Sequence, residues 1–202
     1  MALPVQYREG GGNFVFNVDY FDWAQGAGYK RYYFLGTKDS VGNKYALTTD
    51  NSLLADDANV RLTGTASTDF DLVFNNSVTV ANALCTASYT IEMDGKNSDS
   101  FTVAITVYHY DGSTETSLGT VTDTTTTDGD PAKRERRTVQ FTLTEKKFSK
   151  GDTLRVTVDT TVNAGTSGQF YMDPAGSISF TGTSEQSINS SSEINIPFKI
   201  QQ

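Results

Sequence analysis

The sequence predicts an all-β protein, an antiparallel β-sandwich of jelly-roll type with an extended N-terminal arm and a C-terminal strand. Three observations carry this. Phe101, Val103, Ile105, Val107 and His109 alternate with Thr102, Ala104, Thr106 and Tyr108, the period of two that gives a strand one buried and one exposed face. The same texture recurs along the chain, with turn signals between the runs. The 202 residues include 29 Thr, 12 Phe and 10 Tyr but only 4 Pro, a composition suited to a pleated, half-buried surface. A chain of this length can close one sizeable core. We divide it into an N-terminal arm over 1–28, a sandwich body over 29–182 and a tethered C-terminal strand over 183–202.

In chain order, Gly10-Gly11-Gly12 makes a flexible break ahead of Phe14, Phe16, Val18 and Tyr20, which share one face of an alternating stretch ending at Trp23. A terminus this aromatic must bury itself somewhere. Tyr29–Leu35 reads as a strand, and Lys44–Thr48 as its returning hairpin partner. Val60–Leu62 and Phe70–Phe74 are short strands. From Leu84 the rhythm strengthens: Ala87, Tyr89, Ile91 and Met93 point one way, Ser88, Thr90 and Glu92 the other. Asp94–Asp99 and Asp111-Gly112 are hairpin turns flanking Phe101–Tyr110, and Thr116–Thr124 follows. After a polar loop over 125–132, strands are expected at Thr138–Thr144 and at Thr153–Val162, where Leu154, Val156 and Val158 face inward. Short strands at Gln169–Met172 and Ser177–Thr181 precede a Gly/Ser/Thr-rich linker over 182–192. Finally Ile194, Ile196, Phe198 and Ile200 alternate with Asn195, Pro197 and Lys199. Because Pro197 cannot donate to a ladder, this is expected to be an edge strand.

Chemistry is sparse. The net charge of −8 argues against a nucleic-acid binder, which carries a basic footprint. It serves solubility, or contact with a basic partner. Cys85 is the sole cysteine, so no internal disulfide can form, and its place at the head of a strand reads as a buried thiol rather than a nucleophile. His109, the sole histidine, would need a nucleophile and an orienting acid to act as a base. No Gly-x-Ser-x-Gly frame offers them, so it reads as a core-edge residue. The oxygen-rich Asp94–Asp99 lacks the spacing of a calcium loop. One His and one Cys cannot build a zinc site. Two carboxylates across a cleft would suffice for a glycosidase, yet nothing selects a pair. Lys133-Arg134-Glu135-Arg136-Arg137 is a solvated junction into a strand, or a docking point for an acidic surface. Tyr29, Tyr32, Tyr33 and Phe34 would suit a sugar-stacking platform, and core packing explains them as well. The start, Met1-Ala2-Leu3-Pro4, has no basic and apolar leader pattern, and no apolar run approaches the ~20 residues of a membrane span. We therefore expect synthesis in a reducing cytosol. Catalytic, cofactor and metal residues are all expected to be absent.

The Gly-hinged aromatic arm, the tethered C-terminal strand, Lys150-Gly151-Asp152-Thr153-Leu154-Arg155-Val156 and Met172-Asp173-Pro174-Ala175-Gly176 together resemble structural proteins of tailed-phage virions, most closely jelly-roll-type capsid decoration (cement) proteins. The resemblance covers under a third of the chain. It implies a non-enzymatic part of a virion, made in the host cytoplasm and sited on the outer capsid surface. Its partners would be the major capsid protein and copies of itself as a homotrimer, with neither nucleic acid nor membrane bound. Tyr7, Phe14, Phe16, Tyr20, Phe21, Trp23, Ile194, Ile196, Phe198 and Ile200 would then be the interface, since aromatic and apolar anchors dominate interface cores. The alternatives are a carbohydrate-binding β-sandwich, free or in a tail fibre, and a glycoside hydrolase on the same fold.

Overall fold

The computed structural model describes residues 27–35, 45–49, 61–93, 100–126, 133–164, 168–172, 177–178, 188–189 and 192–199. Among them the protein is all-β. The strands are β1 (Ala27–Leu35), β2 (Tyr45–Thr48), β3 (Arg61–Thr63), β4 (Ala66–Val73), β5 (Val78–Val80), β6 (Leu84–Met93), β7 (Ser100–Tyr110), β8 (Glu115–Thr126), β9 (Lys133–Thr142), β10 (Lys146–Phe148), β11 (Thr153–Ala164), β12 (Gly168–Tyr171), β13 (Ser177–Ile178), β14 (Ile188–Asn189) and β15 (Glu193–Lys199). No helix among the described residues is long and apolar enough to cross a membrane.

One sheet runs β3-β12-β6-β15-β1-β2-β4-β11-β7-β8, with β9 along the other edge of β6 and the β5–β10 pair attached through β15. It folds over on itself into a sandwich. The front layer is β4-β11-β7-β8, and the back layer is β9-β6-β15-β1 with β12 and β3 beyond. The two remote ends meet: the Thr144 N–H, just past β9, donates to the Leu118 carbonyl of β8 over 2.8 Å. A register shift in the β7–β8 ladder after Val107 turns Leu118 into the core, where it is 3% exposed, as a bulge does. The next residue is Gly119, where a Cβ would stand 2.7 Å from the Thr142 carbonyl oxygen; without a side chain there, β8 can close on β9.

The period-two faces fall as the sequence predicts. Phe101, Val103, Ile105 and Val107 of β7, Cys85, Ala87, Tyr89, Ile91 and Met93 of β6, and Leu154, Val156 and Val158 of β11 line one shared core. An edge-to-face aromatic contact ties the layers, Phe34 to Phe70 at 4.8 Å between ring centroids, and Phe34 also meets Phe170 within the back layer at 6.1 Å. The abundant threonines have a structural use on the outer faces. Thr102 pairs with Thr124 and Thr106 with Thr120 across β7 and β8, each at 2.8 Å, the cross-strand pairing that stabilises a sheet face.

Two expectations change. The sheet is mixed rather than wholly antiparallel, because β2 runs parallel to β4 through Tyr45–Phe70 and Ala46–Asp71; the chain between them is long enough for the crossover that a parallel pair requires. The C-terminal strand is not an edge strand. β15 lies between β1, paired over Ala27–Tyr33, and β6, paired over Thr86–Ser88. Pro197 is tolerated there by position. Its carbonyl accepts from the Ala81 N–H at 2.9 Å, so its nitrogen faces the same way, toward the point where β15 leaves β6 and meets β5 at Phe198–Val80. The missing donor falls at that change of partner.

Candidate functional site

Of the predicted interface residues, Tyr7, Phe14, Phe16, Tyr20, Phe21, Trp23 and Ile200 lie outside the described residues. Ile194, Ile196 and Phe198 are corrected: all three are buried in the protein's own core, because β15 is paired on both edges and its apolar face meets the layer opposite. The four aromatics of the suggested sugar platform are divided, with Tyr29 and Tyr33 half-buried on the other face of β1. Tyr32 and Phe34 are fully buried, since the alternation that puts them on one face turns that face inward. Burial pushes the Tyr32 phenol pKa well up.

The isolated reactive groups are enclosed. Cys85 is buried, and desolvation raises its thiol pKa far above the usual range, which leaves a poor nucleophile. The Asp94–Asp99 turn lies outside the described residues. The basic run from Lys133 is part of strand β9 rather than a loop junction. There Arg136 reaches Glu193 at 3.9 Å. Arg137 instead turns between the layers and grips Asp123 of β8 with Nε and Nη2, at 2.8 and 2.7 Å. The Tyr89 hydroxyl donates to the same carboxylate at 2.8 Å. Arg137 and Tyr89 together hold the Asp123 carboxyl below its usual range, whereas burial, followed by the Asp123 charge, drives the Tyr89 phenol up. This fork closes the seam between β8 and β9 beyond the backbone contact at Leu118.

The densest constellation lies on the outer face of the front layer, centred on Arg155 of β11. Register places Asp71 of β4 on one side of it and Tyr108 of β7 on the other. Arg155 donates to both Asp71 oxygens at 2.7 and 2.8 Å. Its Nη1 bonds the Glu115 carboxylate and lies 3.5 Å from Asp69. The guanidinium also stacks 4.7 Å from the Tyr110 ring centroid. Asp71 above all raises the Arg155 pKa further. Thr157 donates to Asp69 at 2.7 Å, extending the network along β11. The three carboxylates all face one permanent cation, so the geometry is that of an ion-pair lock across β4, β11, β7 and β8. Alternation with the inward-facing Leu154 and Val156 puts Arg155 on the outward face, but no local pattern assigns this role, because Asp71 is 84 residues away. Among the described residues, no three His, Cys, Asp or Glu side chains group as metal ligands.

No family model and no curated protein matches the sequence. The fold is similar to that of a CocE/NonD family hydrolase from Staphylococcus aureus in two crystal structures. One gives a TM-score of 0.56 at 10% identity over 85% of this chain, the other 0.51 at 12% identity over 86%. The chain spans 37% of the length of that hydrolase. At this identity the likeness is one of fold.

Proposed function

We propose that the chain is a non-enzymatic structural subunit of a virus particle, a capsid decoration protein that stabilises the outer capsid surface. One observation supports the non-enzymatic reading: among the described residues, side chains a catalyst could draw on are engaged in holding strands together. Arg155 is spent on Asp71, Asp69 and Glu115, Arg137 on Asp123, and His109 on Asp152, while Cys85 is sealed in the core. The assignment to a particle rests on the resemblance drawn from the sequence. In this reading the sandwich is a rigid body and the aromatic N-terminal segment is the anchor. An arm that orders on binding pays conformational entropy but wraps a large surface, and repetition over many copies multiplies a modest contact. With Ile194, Ile196 and Phe198 used internally, the anchors reduce to Tyr7, Phe14, Phe16, Tyr20, Phe21, Trp23 and Ile200.

Light scattering on the purified full chain tests the anchor. The expected mass is three chains, falling to one in a Phe16→Ser, Trp23→Ser double variant with an unchanged far-UV spectrum. A wild-type monomer at micromolar concentration would sink the trimer. The likeness to a hydrolase supports a second reading, in which such a sandwich forms part of a hydrolytic enzyme. Turnover of a chromogenic ester or amide, lost on replacing one carboxylate, would favour it.

A further inference from the structure

One end of the sandwich is closed by a plug of rings. Phe74 lies edge-to-face on Phe148 at 5.2 Å and on Phe198 at 6.0 Å between centroids, and His109 lies on Phe148 at 4.7 Å. Phe148 ends β10, whose one strand partner among the described residues is the three-residue β5. A short pair of this kind is held by what lies around it. The turn after β10 supplies that hold. Gly151, with φ of 95°, donates its N–H to the Phe74 carbonyl at 2.8 Å, and the Phe74 N–H donates to the Asp152 carbonyl at 2.9 Å. The Asp152 carboxylate then takes two donors on Oδ2: the Ser149 N–H at 2.7 Å and His109 Nε2 at 2.8 Å. A carboxylate only accepts, so Nε2 carries the proton. The side chains of this pair are just 8% and 17% exposed.

We propose that His109 and Asp152 form an acid-released latch that holds the β10–β11 turn, and with it the β5–β10 pair, over the aromatic plug. Protonating Asp152 removes the charge that both donors serve. Among the described residues, the charged groups facing the pair are each other and Asp111 of the β7–β8 turn. The strands around His109 bring Phe148 from β10, Leu154 from β11 and Thr116 from β8, none of them charged. Asp111 is held by the Ser113 and Thr114 N–H groups and the Ser113 hydroxyl, which bring its carboxyl down to about 2, so it stays ionised while the latch opens. The Asp152 carboxyl is itself lowered, first by His109 and then by the Ser149 N–H. For a lowered acid, the stabilisation is present above the unfolded value and is lost as pH falls through the folded one. Opening therefore belongs below about pH 4.

Amide hydrogen exchange on the full chain, corrected for the intrinsic pH dependence, tests this independently of the virion reading. Amides at 78–80 and 146–152 should lose protection on acidification before those of β6 and β11. Asp152→Asn should lower their protection roughly tenfold at neutral pH and abolish the acid step. His109→Phe, which keeps a ring on Phe148, should give the same local loss. Unchanged protection in both variants would overturn the latch. So would a wild-type acid transition in which these amides and those of β6 and β11 open together, a result that stands even if a variant fails to fold.

Discussion

Gly168→Ala is expected to destabilise the protein by about 3 kcal/mol, the upper part of the range for overpacking a tight core. Gly168 opens β12 in the back layer, and Phe101 of the front layer lays its ring directly on it. A Cβ there would stand 2.5 Å from Cε2 and 2.6 Å from Cγ, and closer still to Cδ2. Phe101 is 1% exposed, so the ring has nowhere to retreat without moving β7 or β12. For a chain of this length the melting temperature should fall by on the order of 10 °C. Phe101→Leu, mildly destabilising alone, should recover part of the loss when combined with Gly168→Ala, because the two side chains compete for one space. Additive losses in that double variant would contradict the contact.

Arg155→Met should cost about 3 kcal/mol in urea unfolding, the lower end of what breaking a buried ion pair costs. Methionine fills similar volume but takes from Asp71, at 16% side-chain exposure, the guanidinium that donates to both of its oxygens. Asp69 and Glu115, at 38% and 41%, are open enough to rehydrate, which keeps the loss from being larger. Arg155→Lys should recover only part of it, since an ammonium cannot offer the two parallel N–H groups that Asp71 now accepts. Full recovery by lysine would mean that charge alone matters at this position.

These two positions show where the sequence is legible and where it is not. The faces of β6, β7 and β11 follow from alternation, because a period of two is a local property that burial of one face enforces. The sequence reads Asn163–Gly168 as a turn, whereas Gly168 opens β12, and only the arrival of Phe101 from the other layer explains why it is glycine. Arg155 is readable as an outward residue, but its lock forms with Asp71 and Glu115, which fold topology alone brings to it. Ile194–Phe198 is the reverse case: the strand is evident from alternation, while its place between β1 and β6 is not. Reading Pro197 as an edge marker overlooked that only one side of a strand needs each N–H. The Tyr89–Asp123–Arg137 fork shares this limit, since no local pattern pairs a strand tyrosine with an arginine three strands later in the chain.

We propose that the chain is a structural part of a particle. The most direct test of this proposal is density-gradient fractionation of a lysate from cells that produce the protein and its particles, followed by protein staining and an antibody to this chain. The account predicts co-sedimentation with intact particles in a fixed ratio to the major capsid protein, and release into the soluble fraction when Phe16 and Trp23 are both replaced by serine. Wild-type protein found wholly in the soluble fractions, with none on particles, would contradict it.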